Sequence, residues 1–185
     1  MIDIRSFHCY LIAGDALVGK TAITQMFLSD GAKFPKTYNL TTNIELNSKL
    51  FSIPGESADH KVQFIIYDTS GHDIYNDIIR KCLNKKCDVV LLVYDVTSTA
   101  SFENLKEWIK LISEAETIGK DKMPIFVLGN KSDLHNRRTV FLEGDKSEEM
   151  MKEFEVLQTV EGSAKNYEGV HEIFTAMAQY LVENS

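Results

Sequence analysis

The chain has few cysteines, no long apolar run and no excess of positive charge. Cys9, Cys82 and Cys87 are the only thiols in 185 residues. That odd count, with no framework spacing, excludes a disulfide scaffold and points to reduced thiols in a cytosolic protein. Cys82 and Cys87 are too few for a structural zinc site. No apolar stretch approaches the ~20 residues that span a bilayer, and no secretory pattern precedes the first strand-like run. Ile2 stands where a myristoylated chain carries glycine. Val182-Glu183-Asn184-Ser185 holds no cysteine to prenylate, so no direct lipid anchor is expected. A formal net charge of −7 argues against nucleic acid or an anionic membrane as the main partner, because both require a basic face.

What remains is the composition of an ordinary globular domain, with 44% apolar and 25% charged residues. There is no repeat, linker or low-complexity tract, so residues 1–185 are expected to form one domain. Strand-like and helix-like runs alternate, which predicts an α/β fold with a mainly parallel sheet covered on both faces. Strands are expected at about 5–13, 43–53, 62–67, 88–94, 125–128 and 156–160. Ile44, Leu46 and Leu50 share one face of the second strand. The second and third strands, joined by a short turn, predict an antiparallel hairpin. Helices are expected at about 20–29, 73–84, from Ser98 or Thr99 onward, 143–154, and from Gly169 onward. Phe102, Leu105, Ile109 and Ile112 share one helical face, and Val170, Ile173, Phe174, Met177 and Leu181 form another apolar stripe, read as core. Residues 30–42 read as a polar loop.

Gly14-Asp15-Ala16-Leu17-Val18-Gly19-Lys20-Thr21 lies between the first strand and first helix. Its glycine spacing lets backbone N–H groups wrap a phosphate, and the helix then begins with free N–H groups aimed at the anion. Lys20 would place an ammonium on the phosphates, and the Thr21 hydroxyl would reach Mg²⁺. Ala22 belongs to the same helix start. Asp68-Thr69-Ser70-Gly71 follows the third strand: Asp68 can hold Mg²⁺ through water, and Gly71 can offer a bare N–H to a terminal phosphate. Asn130-Lys131-Ser132-Asp133 follows the fifth strand. A carboxylate at Asp133 matches the two adjacent donors of guanine and would be left unpaired against adenine. Asn130 can brace loop and base, while the Lys131 stem can cover the ring. Ser163-Ala164-Lys165 follows the last strand and can offer a backbone N–H to guanine O6.

These four motifs, in this order, resemble the Ras-like small GTPases across essentially the whole chain. Val93-Tyr94-Asp95-Val96-Thr97 with Ser101-Phe102 resembles the Rab branch. The resemblance implies a six-stranded, mostly parallel sheet with one antiparallel strand, and GTP/GDP with Mg²⁺ as ligands. It implies that Thr41 reaches Mg²⁺ and the γ-phosphate, that Phe34 packs on the base, and that Lys20, Thr41 and the residue after Gly71 serve hydrolysis. Effectors would then meet residues 30–42 and 68–80.

Tyr38-Asn39-Leu40-Thr41-Thr42, Asp30-Gly31-Ala32-Lys33-Phe34, and Leu128 to Leu134 with Arg137-Arg138 resemble the Rab-like GTPases of intraflagellar transport. That resemblance implies a subunit of the IFT-B complex, in the cytoplasm and in the cilium or flagellum and its base. It also implies a heterodimer with intraflagellar transport subunit twenty-five, a β-sandwich protein. A membrane-traffic Rab, and an assembly subunit in which nucleotide is mainly structural, stay open as alternatives. A kinase does not fit, because no acceptor-substrate site accompanies the guanine motif.

Four residues depart from the family pattern. His72 stands where most small GTPases carry glutamine, whose amide both donates and accepts. A histidine is shorter, and each ring nitrogen does one job per tautomer, so slow intrinsic hydrolysis is expected. Ala16 and Leu17 replace smaller Rab residues: the Ala16 methyl can crowd an incoming arginine finger, and Leu17 offers an apolar surface to switch II or a partner. Asn43 replaces a glycine that usually follows the switch threonine by two, and Asn tolerates unusual φ.

Overall fold

The computed structural model describes residues 3–37, 40–55, 60–115, 122–140 and 145–184. The turn at 56–59, Tyr38-Asn39 of the switch motif, and the expected helix start at 143–144 lie outside the described residues. Six strands, β1 (Asp3–Ala13), β2 (Ile44–Ser52), β3 (His60–Thr69), β4 (Val89–Asp95), β5 (Ile125–Asn130) and β6 (Gln158–Glu161), form one sheet in the order β2-β3-β1-β4-β5-β6. All neighbouring pairs are parallel except β2 with β3. The six-stranded, mostly parallel α/β architecture expected from the sequence is therefore present.

Helices α1 (Lys20–Leu28), α2 (Asn76–Lys86), α3 (Thr99–Glu103), α4 (Leu105–Ala115), α5 (Asp145–Glu153) and α6 (Val170–Glu183) flank the sheet. Alternation along β1 divides the interior, since successive side chains point to opposite faces. Tyr10 and Ile12 pack with Phe27 of α1 and with Phe174, Met177 and Leu181 of α6. Leu11 and Ala13 join Ile79 of α2 and Leu105, Trp108 and Ile112 of α4 on the other face. Phe27 and Phe174 stack with centroids 3.7 Å apart and planes 7° from parallel, which ties α1 to α6. β4 is buried along its whole length, as its unbroken apolar run requires. The stripe on α6 is core as expected.

One local expectation gains detail and one changes. Ile44, Leu46 and Leu50 do share one face of β2, but only Ile44 packs against the core there; Leu46 is 65% exposed, whereas Phe51 and Ile53 bury on the opposite alternation. β2 is an edge strand, and only Phe51's side faces α1 and α6. The helix expected from Ser98 is two helices. Ser98 caps α3 by accepting the Ser101 N–H, and the chain breaks at Asn104 before α4. The Asn104 carbonyl then accepts the N–H groups of Glu107 and Trp108 and so starts α4.

The strand order reverses at β1, which lies between β3 and β4. Ligands of open α/β sheets bind at the carboxyl ends of strands beside such a reversal. The loop leaving β1 is the glycine-bounded stretch singled out by the sequence.

Candidate guanine nucleotide site

Gly14 sits at φ 135° with its Cα pressed on Val93: an added Cβ would lie 2.2 Å from the Val93 carbonyl oxygen. Gly19 caps α1 at φ 102°, and no side chain caps that helix start. The first-turn N–H groups of α1 are thereby left to an external acceptor, with the positive end of the helix dipole behind them. Between the glycines, Leu17 holds φ 70°, a left-handed conformation that a branched side chain adopts only when its surroundings impose it. Those surroundings are visible. The Leu17 carbonyl accepts from Lys131 Nζ at 2.8 Å, and the Val18 carbonyl accepts from Asn130 Nδ2 at 2.8 Å.

Lys20 is buried, and its Nζ donates to the carbonyls of Gly14 and Asp15, both at 2.7 Å. Burial lowers the ammonium to about 8, opposed by the carboxylates of Asp68 and Asp15. The Thr21 hydroxyl lies 3.0 Å from that of Thr41, so the first helix and the switch loop present their oxygens to one point. Behind them Asp68 is fully buried, and neither carboxylate oxygen has a hydrogen-bond partner among the described residues. Burial pushes Asp68 up to about 6; the nearby Thr21 hydroxyl and the Lys20 ammonium pull the other way without completing a hydrogen bond. Two hydroxyls and an orphaned buried carboxylate form a hard-oxygen donor set, which suits Mg²⁺. Gly71 lies against the phosphate loop: a Cβ there would meet Ala16 N and Asp15 C, both at 2.2 Å.

The other end of the site is closed by hydrogen bonds. Asn130 is buried, and its Oδ1 accepts the Ala164 N–H at 2.9 Å while its amide reaches Val18, so one side chain joins the β1, β5 and β6 loops. Ser163 Oγ donates to Asp133 Oδ1 at 2.6 Å, and Lys165 Nζ stands 3.7 Å from Asp133 Oδ2. Lys131, at φ 69°, pairs its ammonium with Asp95 Oδ2 at 2.5 Å, which lays its stem along the cavity.

A cavity of about 820 Å³ joins the two ends. Ala16, Leu17, Gly19, Lys20, Thr21, Ala22, Phe34, Thr41, Gly71, His72, Asn130, Lys131, Asp133, Ala164 and Lys165 line it, so most of the residues expected from the sequence converge there. Gly14, Val18, Asp68 and Ser163 lie behind its wall. Asp15 departs most from expectation: its carboxylate turns away from the cavity, to Trp108 Nε1 and Asn104 Nδ2 at 2.8 Å each. Leu17 is 61% exposed. The sequence reading missed Asn104, Trp108 and the Lys131-pairing role of Asp95. Asp95 could have been found, since it stands in the Rab-like motif, but Asn104 and Trp108 carry no local signal.

A strand–loop–helix phosphate cradle joined to an asparagine-braced aspartate site defines a guanine nucleotide-binding protein of the P-loop class. A sequence profile of the Ras family matches residues 9–183, and the chain belongs to that family. It is 35% identical to the intraflagellar transport protein 27 homolog of Bos taurus over 158 residues, covering 85% of this chain and 82% of the relative. The Homo sapiens homolog is 41% identical over 131 residues, 70% of this chain and 67% of that protein. The Ras-related protein SEC4 of Saccharomyces cerevisiae is 32% identical over 173 residues, 94% of this chain and 74% of that protein.

Proposed function

We propose that this chain is a Rab-like GTPase of the intraflagellar transport machinery that binds GTP and GDP with Mg²⁺ and hydrolyses GTP slowly. The observation that carries the nucleotide reading is the orphaned Asp68 carboxylate behind the paired Thr21 and Thr41 hydroxyls. Thr21 and Thr41 would hold the cation directly and Asp68 through water. When bound, Mg²⁺ would neutralise charge on the phosphate oxygens. Lys20 moves from the Gly14 and Asp15 carbonyls to the phosphates, exchanging two neutral acceptors for charged ones. The Gly71 and Thr41 segments order around the γ-phosphate and relax after its loss, which makes residues 30–42 and 68–80 the surfaces a partner reads. At the base end, Asp133 receives the two guanine donors, Phe34 and the Lys131 stem cover the ring, and the 163–165 loop meets O6.

Slow hydrolysis follows from His72. It lines the cavity but is exposed, and its imidazole cannot donate and accept from one amide-like group as glutamine does. The transport role rests on the similarity to intraflagellar transport protein 27 homologs. It includes membership of the IFT-B complex, a heterodimer with intraflagellar transport subunit twenty-five, and residence in the cytoplasm and the cilium or flagellum. Single-turnover hydrolysis of GTP by the purified protein tests the enzymology: rates at or above those of ordinary Ras-like proteins would refute the slow reading. Co-purification from ciliated cells with GDP- and GTP-loaded protein tests the role. Recovery of prenyl-binding chaperones in place of ciliary transport subunits would favour a membrane-traffic Rab.

A further inference from the structure

Asp15 is the second residue of the phosphate loop, yet its charge is held 89 and 93 residues away in sequence, by Asn104 just before α4 and Trp108 on it. Asn104 and Trp108 stand one helical turn apart, on the same face, so both donors reach the one carboxylate. Each bond is 2.8 Å, and each is assisted by the carboxylate's charge. The rest of Asp15 is bounded as well: Lys20 holds its carbonyl, and Gly71 presses on its peptide. Two residues on stands Leu17 at φ 70°, whose carbonyl is turned to Lys131. A loop in this conformation aims its N–H groups at the cavity while its Leu17 carbonyl and its one carboxylate are held outside.

We propose that Trp108 and Asn104 are positioning residues for nucleotide binding: by holding the Asp15 carboxylate they keep the phosphate loop in its binding shape and its negative charge away from the phosphates. This deepens the nucleotide reading above and rests on it. Without the clamp, two things go wrong together. The strained loop loses a brace at its N-terminal side, and an unpaired carboxylate is free to swing toward an anion. A polar cleft of about 410 Å³ opens beside the clamp, with Asp15, Asn76, Arg80, Trp108 and Glu114 on its wall, and Arg80 pairs with Glu114 across it at 2.8 Å. The clamp therefore ties the phosphate loop to α4, which α2 meets through the Arg80–Glu114 pair.

The test is a double-mutant cycle read by the dissociation rate of fluorescent GDP from the full chain. Trp108→Phe keeps an aromatic ring in the core while removing the indole N–H donor together with one of the two fused rings. It is expected to speed GDP release about tenfold, the effect of one hydrogen bond to a charged group. Asn104→Ala, at an exposed position whose capping of α4 uses only its backbone, is expected to speed release about threefold. In an Asp15→Ala background, neither change should add to the effect. A tryptophan that merely fills the core would give the same loss with or without the Asp15 carboxylate, so additivity overturns the proposal. Wild-type release rates in both single variants overturn it as well, and Asn104→Ala supplies that answer should Trp108→Phe fail to fold. Failure of the wild-type chain to bind fluorescent GDP would instead defeat the nucleotide reading itself, and the clamp with it.

Discussion

The base end and the phosphate end of the cavity are built differently. At the base end the polar recognition side chains already have protein partners: Asn130 joins two loops, Asp133 accepts from Ser163, and Lys131 is paired with Asp95. At the phosphate end Asp68 is buried with no hydrogen-bond partner among the described residues, and Thr41 meets the Thr21 hydroxyl on a loop whose neighbour Leu40 is half exposed. The base end is preorganised, so binding there loses little ordering entropy and discriminates strongly. The phosphate end stores unsatisfied polar groups that ligand must satisfy, so its order depends on what is bound. A switch needs this division: one end keeps hold of the nucleoside while the other reports the phosphate.

The largest expected effect is at the rigid end. Asp133→Asn leaves an amide donor facing guanine's donors, and GDP affinity should fall ~10³-fold. Titration with fluorescent GDP and with a xanthosine nucleotide, whose C2 carbonyl accepts, would show the preference invert. Chelation of Mg²⁺ acts at the other end and should speed GDP release by ~10²-fold, because phosphate charge and Asp68 then face each other uncompensated. Stopped-flow release with and without EDTA measures it, and insensitivity to EDTA would erase the contrast between the two ends.

Gly71→Ala tests the packing of switch against loop, since the new Cβ meets backbone on both sides. A loss of about 2 kcal/mol is expected, or a melting temperature lower by about 5 °C. Gly129→Ala is the matching change near the base end, where the Cβ meets the tip of the Tyr94 side chain, which can shift more easily than backbone. It should cost about half as much by the same melt. The smallest effect is expected from His72→Gln, which should raise single-turnover GTP hydrolysis ~5-fold while leaving GDP release unchanged.

Much of this was legible in the residues because the signals are local. Gly14, Gly19, Lys20 and Thr21 carry their chemistry within one loop, and β4 announces its burial by six apolar or aromatic positions and a terminal aspartate. Asn130, Asp133 and Ala164 came together as expected because strand ends in a parallel sheet share one rim. The outward turn of Leu46 was not legible, since alternation tells which residues share a face but not whether a helix covers it. Nor was the break at Asn104, which interrupts an apolar periodicity that continues in phase on both sides. The Asp15 carboxylate looked like part of a phosphate site by position alone; its destination on α4 depends on how the helix docks, and no spacing in the sequence encodes that. Lys49 is a similar case, reaching from β2 to Asp30 and the end of α1 at the root of the switch loop.

The strand order has a consequence for how the protein is born. β1 leaves the ribosome before the other five strands, but its two neighbours are β3 and β4, and the cavity that begins at Gly14 is closed by Asp133 and Ser163. Phe27 meets its stacking partner only when Phe174 arrives. An emerging chain can form the β2–β3 hairpin early, while the nucleotide pocket waits for nearly the last helix. Guanine nucleotide can thus serve as a completion check on synthesis: only a chain translated past β6 can bind it, and binding then draws the finished fold away from every shorter, unliganded form.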